Sequence, residues 1–305
     1  MGNKIIIGLI QPSIKPYAVQ HNLEDLALKL RQLKSQNVRL AVLPEFFPTG
    51  NTLEPELLKV AIQSSDTVKK WLLDQSRTLD MFIAGSYLSL EGEDIYNKFV
   101  FQEPNGNISY HFKTQSPAPE SIYYRVAQEK EFIVKTKIGK IGLIICVESF
   151  YQDIIELDYS DCSLILIDFA IPNIFGRLPA VRRRLTKVPE MLAKRNGVPV
   201  VLCSMGGKFH SNGSPIFPLK IRLRGVYVGR SGIYSPTGSV AGLLSSGEDG
   251  ILVAEVPLGP KVESSDPSLR IETGLPIYMR VIDTLFKQKA EKIYQTNLKR
   301  WLQVK

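Results

Sequence analysis

The sequence predicts one α/β domain in which strands and helices alternate and antiparallel hairpins join the sheet. Short apolar runs of strand length alternate with segments in which apolar residues recur at helical spacing. A Pro104-Asn105-Gly106 turn between two strand-like segments is typical of a β-hairpin. The 305 residues contain neither a low-complexity linker nor an internal repeat, so a single large core is the simplest interpretation.

The first half of the chain predicts a series of strands with two intervening helices. Apolar strands are expected at residues 4–10, 38–43 and 81–87, and hairpin strands at 96–101 and 107–112. Asn22 is expected to cap the first helix, and the second covers about 56–76. The polar, proline-containing segment 114–131 is expected to form an ordered loop over a surface site.

The second half continues the alternation. Strands are expected at 132–135, 141–145, 164–168 and 198–203, and helices at 150–159 and 182–196. Glycines mark turns in the strand-rich segment 216–256. Near the end of the chain, Ile277, Val281, Leu285 and Phe286 recur at helical spacing, which predicts an amphipathic helix.

Composition narrows the function classes. Three cysteines without close pairing and only three histidines favour neither a disulfide framework nor a metal site, and they indicate a reducing cytoplasm. Apolar runs are shorter than a bilayer requires, so no membrane association is expected. The net charge is +8, and residues 177–230 hold twelve Lys or Arg against one acidic residue. Because this segment lacks interleaved aromatic residues, it favours a solvated surface or an anionic substrate over a nucleic acid.

Three reactive side chains each follow a predicted strand: Glu45, Lys113 and Cys146. Strand ends of one sheet converge at one edge, so the three are expected to meet there. Glu45 could accept the thiol proton, Cys146 could attack a carbonyl or nitrile carbon, and Lys113 with the Val147 N–H could stabilise the oxyanion. A helix starting after Cys146 is expected to lower the thiol pKa. From its own stretch of sequence alone, Cys146 is better interpreted as a buried core residue.

The chain resembles the nitrilase superfamily of carbon–nitrogen hydrolases, which use a Glu-Lys-Cys triad. The resemblance rests on LAVLPEFFPTG, SYHFKTQ and GKIGLIICVESF, which place the triad at Glu45, Lys113 and Cys146. It implies a four-layer α-β-β-α sandwich, no cofactor or metal, and a homodimer formed through 150–159 and the C-terminal segment. The hydrolase domain would span 1–260, with 261–305 as an extension within that domain or at the dimer interface.

The same resemblance implies a further glutamate past the lysine that positions the substrate or the lysine, and Glu120 matches it. Val147 and Glu148 are also expected to position the substrate. Val147 stands where nitrile-cleaving members usually have Trp, and Ser149-Phe150 lacks the Arg that amino-acid carbamoylases tend to carry. The expected activity is hydrolysis of a small linear amide or carbamoyl compound through a thioester acyl-enzyme. Acyl transfer to an amine, nitrile hydrolysis and a non-catalytic scaffold remain alternatives. Arg177 or Arg182 at the pocket mouth could favour an acidic amide.

Overall fold

The computed structural model describes residues 4–174, 179–219, 222–258, 265–271 and 273–303. The strands of the first half are β1 (Lys4–Gln11), β2 (Leu40–Val42), β3 (Phe82–Glu91), β4 (Asp94–Gln102), β5 (Ile108–Phe112), β6 (Ile133–Thr136) and β7 (Gly139–Ile145). Those of the second half are β8 (Leu164–Phe169), β9 (Pro172–Ile174), β10 (Val200–Ser204), β11 (Lys208–Ser211), β12 (Leu223–Tyr227), β13 (Gly232–Tyr234), β14 (Val240–Leu243) and β15 (Gly250–Pro257). The helices are α1 (Val19–Ser35), α2 (Glu56–Leu79), α3 (Gln152–Ile155), α4 (Pro179–Asn196) and α5 (Ile277–Leu302).

Two six-stranded sheets form the framework. Their strand orders are β15-β1-β2-β3-β4-β5 and β14-β13-β10-β8-β7-β6, and β11, β12 and β9 form a small third sheet. The neighbours β1–β2–β3 and β7–β8–β10 are parallel, whereas the outer strands pair antiparallel. The parallel strands are buried on both faces, which is why their sequences are nearly continuous apolar runs.

The two sheets face each other with helices on the outside. Helices α1 and α2 pack on the first sheet, and α4 packs on the second. The Cys203 thiol of β10 lies 3.2 Å from the carbonyl oxygens of both Ile10 and Val42, so the facing sheets are in direct contact. This arrangement confirms the four-layer α-β-β-α sandwich.

Two local predictions were wrong. Helix α1 begins at Val19, and Asn22 lies inside it instead of capping it. The buried Asn22 amide donates hydrogen bonds to the carbonyls of Lys15 and Pro48, which fixes the preceding loop. The helix expected at 150–159 is reduced to a 3-10 turn at Cys146–Phe150 and the four residues of α3.

The C-terminal helix α5 packs against α2 and buries Ala290, Tyr294 and Leu298. Three of the four residues of its predicted apolar stripe lie elsewhere: Ile277, Leu285 and Val281 are 79%, 66% and 50% exposed. The fourth, Phe286, is half-buried, and its ring packs on Phe217 with the centroids 5.4 Å apart. The helix was therefore predicted correctly, but most of the predicted stripe is off the face that it buries. None of the helices in the described ranges is long and apolar enough to cross a membrane.

Candidate active site

Glu45, Lys113 and Cys146 meet at the ends of strands that belong to two different sheets. Glu45 follows β2 and Lys113 follows β5 in the first sheet, whereas Cys146 follows β7 in the second. The expected convergence at the edge of one sheet is therefore wrong, although the convergence itself is found. The site lies where the two facing sheets end together, and all three side chains are buried.

Glu45 is held by donors from several elements. Its Oε1 accepts hydrogen bonds from Lys113 Nζ at 2.7 Å and from Asn97 Nδ2 at 2.9 Å, and its Oε2 accepts one from the Ala170 N–H at 3.0 Å. Burial raises the pKa of Glu45 to about 7, even though the Lys113 ammonium opposes the rise. A carboxylate with a pKa near neutrality is suited to accept and return a proton.

Lys113 bridges two carboxylates. Its ammonium donates to Glu45 and, at 3.0 Å, to Glu120 Oε2, and it lies 5.4 Å from the centre of the Tyr124 ring. Burial opposes a charge on Lys113, but the carboxylates of Glu120 and Glu45 outweigh burial and hold its pKa above the usual value. The lysine therefore supplies a fixed positive charge inside the site.

Glu120 is also fixed by neutral donors, one to each carboxylate oxygen. The Tyr124 hydroxyl donates to its Oε2 at 2.8 Å, and Asn51 Nδ2 donates to its Oε1 at 3.0 Å. The Tyr123 hydroxyl in turn donates to Asn51 Oδ1 at 2.8 Å. This network holds Glu120 in contact with Lys113, as the resemblance implies, and it brings Asn51 to the site as well.

Cys146 occupies a strained backbone position between β7 and the 3-10 turn. Its φ is +48°, in the left-handed region that costs a non-glycine residue about 1–3 kcal/mol. The buried Glu45 carboxyl group is one of its electrostatic neighbours. Burial and the neighbouring carboxylates raise the pKa of Cys146 well above the usual range, so the expected lowering by a helix N-terminus is wrong. The resting thiol is neutral and needs Glu45 to take its proton.

Glu148 lies behind Cys146, outside the cavity that Cys146 opens into. Its carboxylate accepts hydrogen bonds from the Thr114 N–H at 2.7 Å, the Thr114 hydroxyl at 2.9 Å and the Ile145 N–H at 2.8 Å. His111 Nε2 lies 3.0 Å from Oε2. Glu148 thus ties the residue after Lys113 to the residue before Cys146, which differs from the substrate contact predicted for it.

Asp168 is a buried acid that sequence patterns did not single out. It lies in β8, in register with Ile145 of β7 and Cys203 of β10. The Ser86 hydroxyl of the opposite sheet faces it, but among the described residues neither carboxyl oxygen has a hydrogen-bond partner of regular geometry. Burial and the nearby Glu45 raise the pKa of Asp168 well above the usual value, so its carboxyl group is neutral.

A cavity of about 1000 Å³ opens in front of Cys146. Val147, Glu120 and Asn51 also line it, whereas Glu148 does not.

Of the three free cysteines, Cys146 lines the cavity, while Cys162 and Cys203 lie in the core. Within the described residues, no cluster of His, Cys, Asp or Glu has the arrangement of a metal site. Arg177 and the side chain of Arg182, predicted near the mouth, lie outside the described residues.

Sequence comparison agrees with this geometry. The carbon–nitrogen hydrolase profile matches residues 6–260. The chain belongs to the carbon–nitrogen hydrolase family. A curated nitrilase of Pyrococcus abyssi (strain GE5 / Orsay) is 24% identical over 236 residues, which cover 75% of this chain and 80% of that protein. The family match therefore confirms the resemblance predicted from the motifs of this carbon–nitrogen hydrolase.

Solved structures share its fold. A cysteine-to-alanine mutant of the Nesterenkonia AN1 amidase from the nitrilase superfamily aligns with a TM-score of 0.70 at 20% identity, covering 84% of this chain and 92% of that one. A carbon–nitrogen hydrolase from Helicobacter pylori G27 aligns with a TM-score of 0.71 at 18% identity, covering 83% and 89%. Both confirm that the carbon–nitrogen hydrolase described here has the nitrilase-superfamily sandwich.

Proposed function

We propose that this carbon–nitrogen hydrolase cleaves a non-peptide C–N bond of an amide through a thioester on Cys146. The observation that supports this most directly is that the buried Glu45 carboxyl group accepts a hydrogen bond from the Lys113 ammonium at 2.7 Å and is also an electrostatic neighbour of the Cys146 thiol. One group can therefore take the proton from the nucleophile while a fixed positive charge stands beside it. Products would be a carboxylic acid and an amine or ammonia.

Acylation would begin with proton transfer from the Cys146 thiol to Glu45. The sulfur then forms a bond to the amide carbon, and the carbonyl π electrons move to oxygen. Lys113 and the Val147 N–H would stabilise that oxyanion. When the carbonyl re-forms, the C–N bond breaks, and Glu45 returns its proton to the leaving nitrogen. The acyl group stays on sulfur as a thioester.

Deacylation would use the same groups. Glu45 takes a proton from water, the hydroxide oxygen attacks the thioester carbon, and the C–S bond breaks as the sulfur recovers the proton. Glu120 would keep the Lys113 ammonium aligned in both halves, because it accepts one of the lysine's hydrogen bonds at 3.0 Å. Glu148 would hold the strand end that carries the nucleophile. In a glutamate-to-glutamine mutant of the Nesterenkonia amidase, the active-site cysteine carries the acetamide moiety of fluoroacetamide in a covalent addition, which supports the same role for Cys146.

Intact-mass spectrometry tests the proposal. The wild type and Cys146→Ala are incubated with panels of amides, carbamoyl compounds and nitriles, and each sample is quenched in acid. An acyl adduct that occurs in the wild type and is missing from Cys146→Ala is the expected result, together with release of free acid. If product forms only when an amine is added, acyl transfer replaces hydrolysis. Turnover by Cys146→Ala at the wild-type rate would rule the mechanism out.

We also propose that the chain forms a homodimer through α5. The exposed apolar residues Ile277, Val281 and Leu285 are four positions apart and form one stripe, which a second copy could cover. Light scattering after size exclusion tests this with Val281→Lys, and with Thr296→Lys on an exposed position of the same helix as the control. Dissociation is expected for Val281→Lys alone. A monomeric wild type would refute the proposal.

A further inference from the structure

The cavity in front of Cys146 is large and its walls are apolar. Its volume of about 1000 Å³ is at the upper end of ordinary ligand sites, which span roughly 300–1000 Å³. Leu53, Phe150, Phe217, Leu223, Met279 and Ile282 are among the residues that line it. A small amide such as acetamide would leave most of these side chains without contact, so the cavity is larger than the predicted small substrate requires.

Apart from the Tyr278 hydroxyl, the polar side chains that line the cavity among the described residues are either at the reacting end or acidic. Asn51 and Glu120 belong to the network around Lys113 and are already hydrogen-bonded to each other. Asp283 also lines the wall and accepts a hydrogen bond from the Ala118 N–H at 2.6 Å. Among the described residues that line the cavity, none is Lys or Arg. On this described part of the wall, a substrate carboxylate would meet acids and apolar surface.

Part of the apolar wall comes from outside the family match. Residues 6–260 match the carbon–nitrogen hydrolase profile, whereas Tyr278, Met279 and Ile282 belong to α5. The same helix is anchored farther along, where Ala290, Tyr294 and Leu298 are buried. The triad and this part of the wall are thus contributed by different parts of the chain, and α5 can influence which substituent is accepted without altering the triad.

We propose that the substrate is an uncharged amide bearing a bulky apolar substituent, an alkyl chain or aromatic ring of about six carbons or more, which α5 and the facing loops enclose. This rests on the hydrolase function proposed above. The substituent could be on the acyl side or on the nitrogen, because both sides of the scissile bond lie next to Cys146 during attack. The shared chemistry is an uncharged apolar group within reach of Met279 and Ile282.

Two matched substrate series test the proposal. One runs from acetamide to octanamide, and the other runs from N-methylacetamide to N-hexylacetamide, with release of ammonia or amine measured as kcat/KM. In at least one series, kcat/KM is expected to rise about fourfold per methylene, the fold-change equivalent to about 0.8 kcal/mol. The series that rises identifies the side that carries the group. Succinamic acid, an anionic amide, is expected to react at least tenfold more slowly than pentanamide.

Substitutions at two positions of α5, one lining the cavity and one exposed, test whether the cavity wall sets the preference for long substrates. Ile282→Trp fills the cavity and is expected to lower the ratio of the longest to the shortest substrate at least tenfold. Thr284→Trp adds the same ring at an exposed position and is expected to leave that ratio as in the wild type. Ile282→Ala, which removes wall contact with little risk to folding, is expected to lower the ratio severalfold.

The outcomes distinguish this proposal from the one on which it rests. If kcat/KM rises along neither series, the apolar substrate class is wrong while the hydrolase function stands. The same holds if the acyl series is the one that rises and succinamic acid nevertheless reacts faster than pentanamide. If both Ile282 variants keep the wild-type ratio, α5 does not form the wall. If no amide gives product or a Cys146 adduct, the hydrolase function itself fails.

Discussion

The pKa values of two buried acids near the ends of adjacent strands are shifted in opposite directions. Glu148 and Asp168 are both fully buried, and Asp168 is in register with Ile145, three residues before Glu148. Glu148 accepts hydrogen bonds from Thr114 and Ile145 and faces His111, and its pKa is lowered although burial alone would raise it. Asp168 lacks such donors among the described residues, and burial raises its pKa. Depth in the core therefore does not decide the direction of the pKa shift here; the neighbouring His111 and the hydrogen-bond donors do.

Glu45 lies between these two extremes, with three donors and two neighbouring acids, and its replacement should have the largest effect. Glu45→Gln removes the proton acceptor and keeps the shape of the side chain. We expect kcat/KM to fall by about 10²–10⁴. Steady-state assays against an amide panel check this, with Glu156→Gln at an exposed position as the control. More than a tenth of wild-type activity in Glu45→Gln would show that Glu45 is not the base.

The pH profile should give the next largest effect. Because burial raises the pKa of Glu45 to about 7, the acid form predominates below that value and cannot accept the thiol proton. We expect kcat/KM to fall about tenfold for each pH unit below about 7. Circular dichroism over the same range controls for unfolding. A profile that stays flat down to pH of about 5 would mean that donors hold Glu45 ionised, as they do Glu148.

Replacing Glu148 should cost stability. In Glu148→Gln the new NH₂ group must face either the Ile145 N–H or the Thr114 donors. Donors then face each other in the core without an acceptor between them. We expect the free energy of unfolding to fall by about 2–3 kcal/mol, measured by urea denaturation. Glu156→Gln, exposed on the surface, again serves as the control. A change within about 0.5 kcal/mol would contradict the assigned network.

At acidic pH the smallest effect is expected at Asp168. Asp168→Asn replaces a protonated acid by a neutral amide of the same shape, so the free energy of unfolding measured below the usual Asp pKa should change by less than about 1 kcal/mol. The folded pKa of Asp168 is raised, so its contribution to stability is present below the usual pKa and is lost as pH rises. The variant should therefore gain stability relative to the wild type as pH rises.

Asp80 supplies the control of opposite sign for that titration. Its hydrogen bond and charge interaction with Arg39 lower the pKa of Asp80, so its contribution is present above the usual pKa and is lost as pH falls. Asp80→Asn should therefore differ most from the wild type at high pH, with the wild type the more stable protein. Urea denaturation midpoints at several pH values compare the two. If Asp168→Asn followed the same slope as Asp80→Asn, Asp168 would be an ionised, paired acid.

The sequence predicted where strands and helices occur better than it predicted what each of them packs against. Apolar runs locate most strands to within a few residues, because a strand buried on both faces needs such a run. The runs do not say which sheet each strand joins, and this is why the triad was expected on one sheet edge. Helix α5 shows the same limit. Its sequence has apolar residues on two sides, and periodicity alone cannot tell the side that packs on α2 from the exposed stripe at Ile277, Val281 and Leu285.

The site was predictable where it is carried by contiguous motifs and unpredictable where it depends on distant contacts. Glu45, Lys113 and Cys146 stand in motif blocks, and Glu120 follows the lysine closely. The polar residues that complete the network, such as Asn51 and Tyr124, resemble ordinary loop residues in the sequence. The lowered thiol pKa was wrong for a similar reason, because the expected long helix is a short turn and burial outweighs it.

The placement of the three cysteines offers a way to measure the concentration of active enzyme. Burial raises the pKa of each of the three thiols, so general alkylating reagents have no thiolate to find on the folded chain. An amide-shaped electrophile would instead be delivered beside Glu45 and would react at Cys146, since Cys162 and Cys203 do not reach the cavity. Such a reagent would label one cysteine per active chain, so the amount of bound label would give the concentration of active sites.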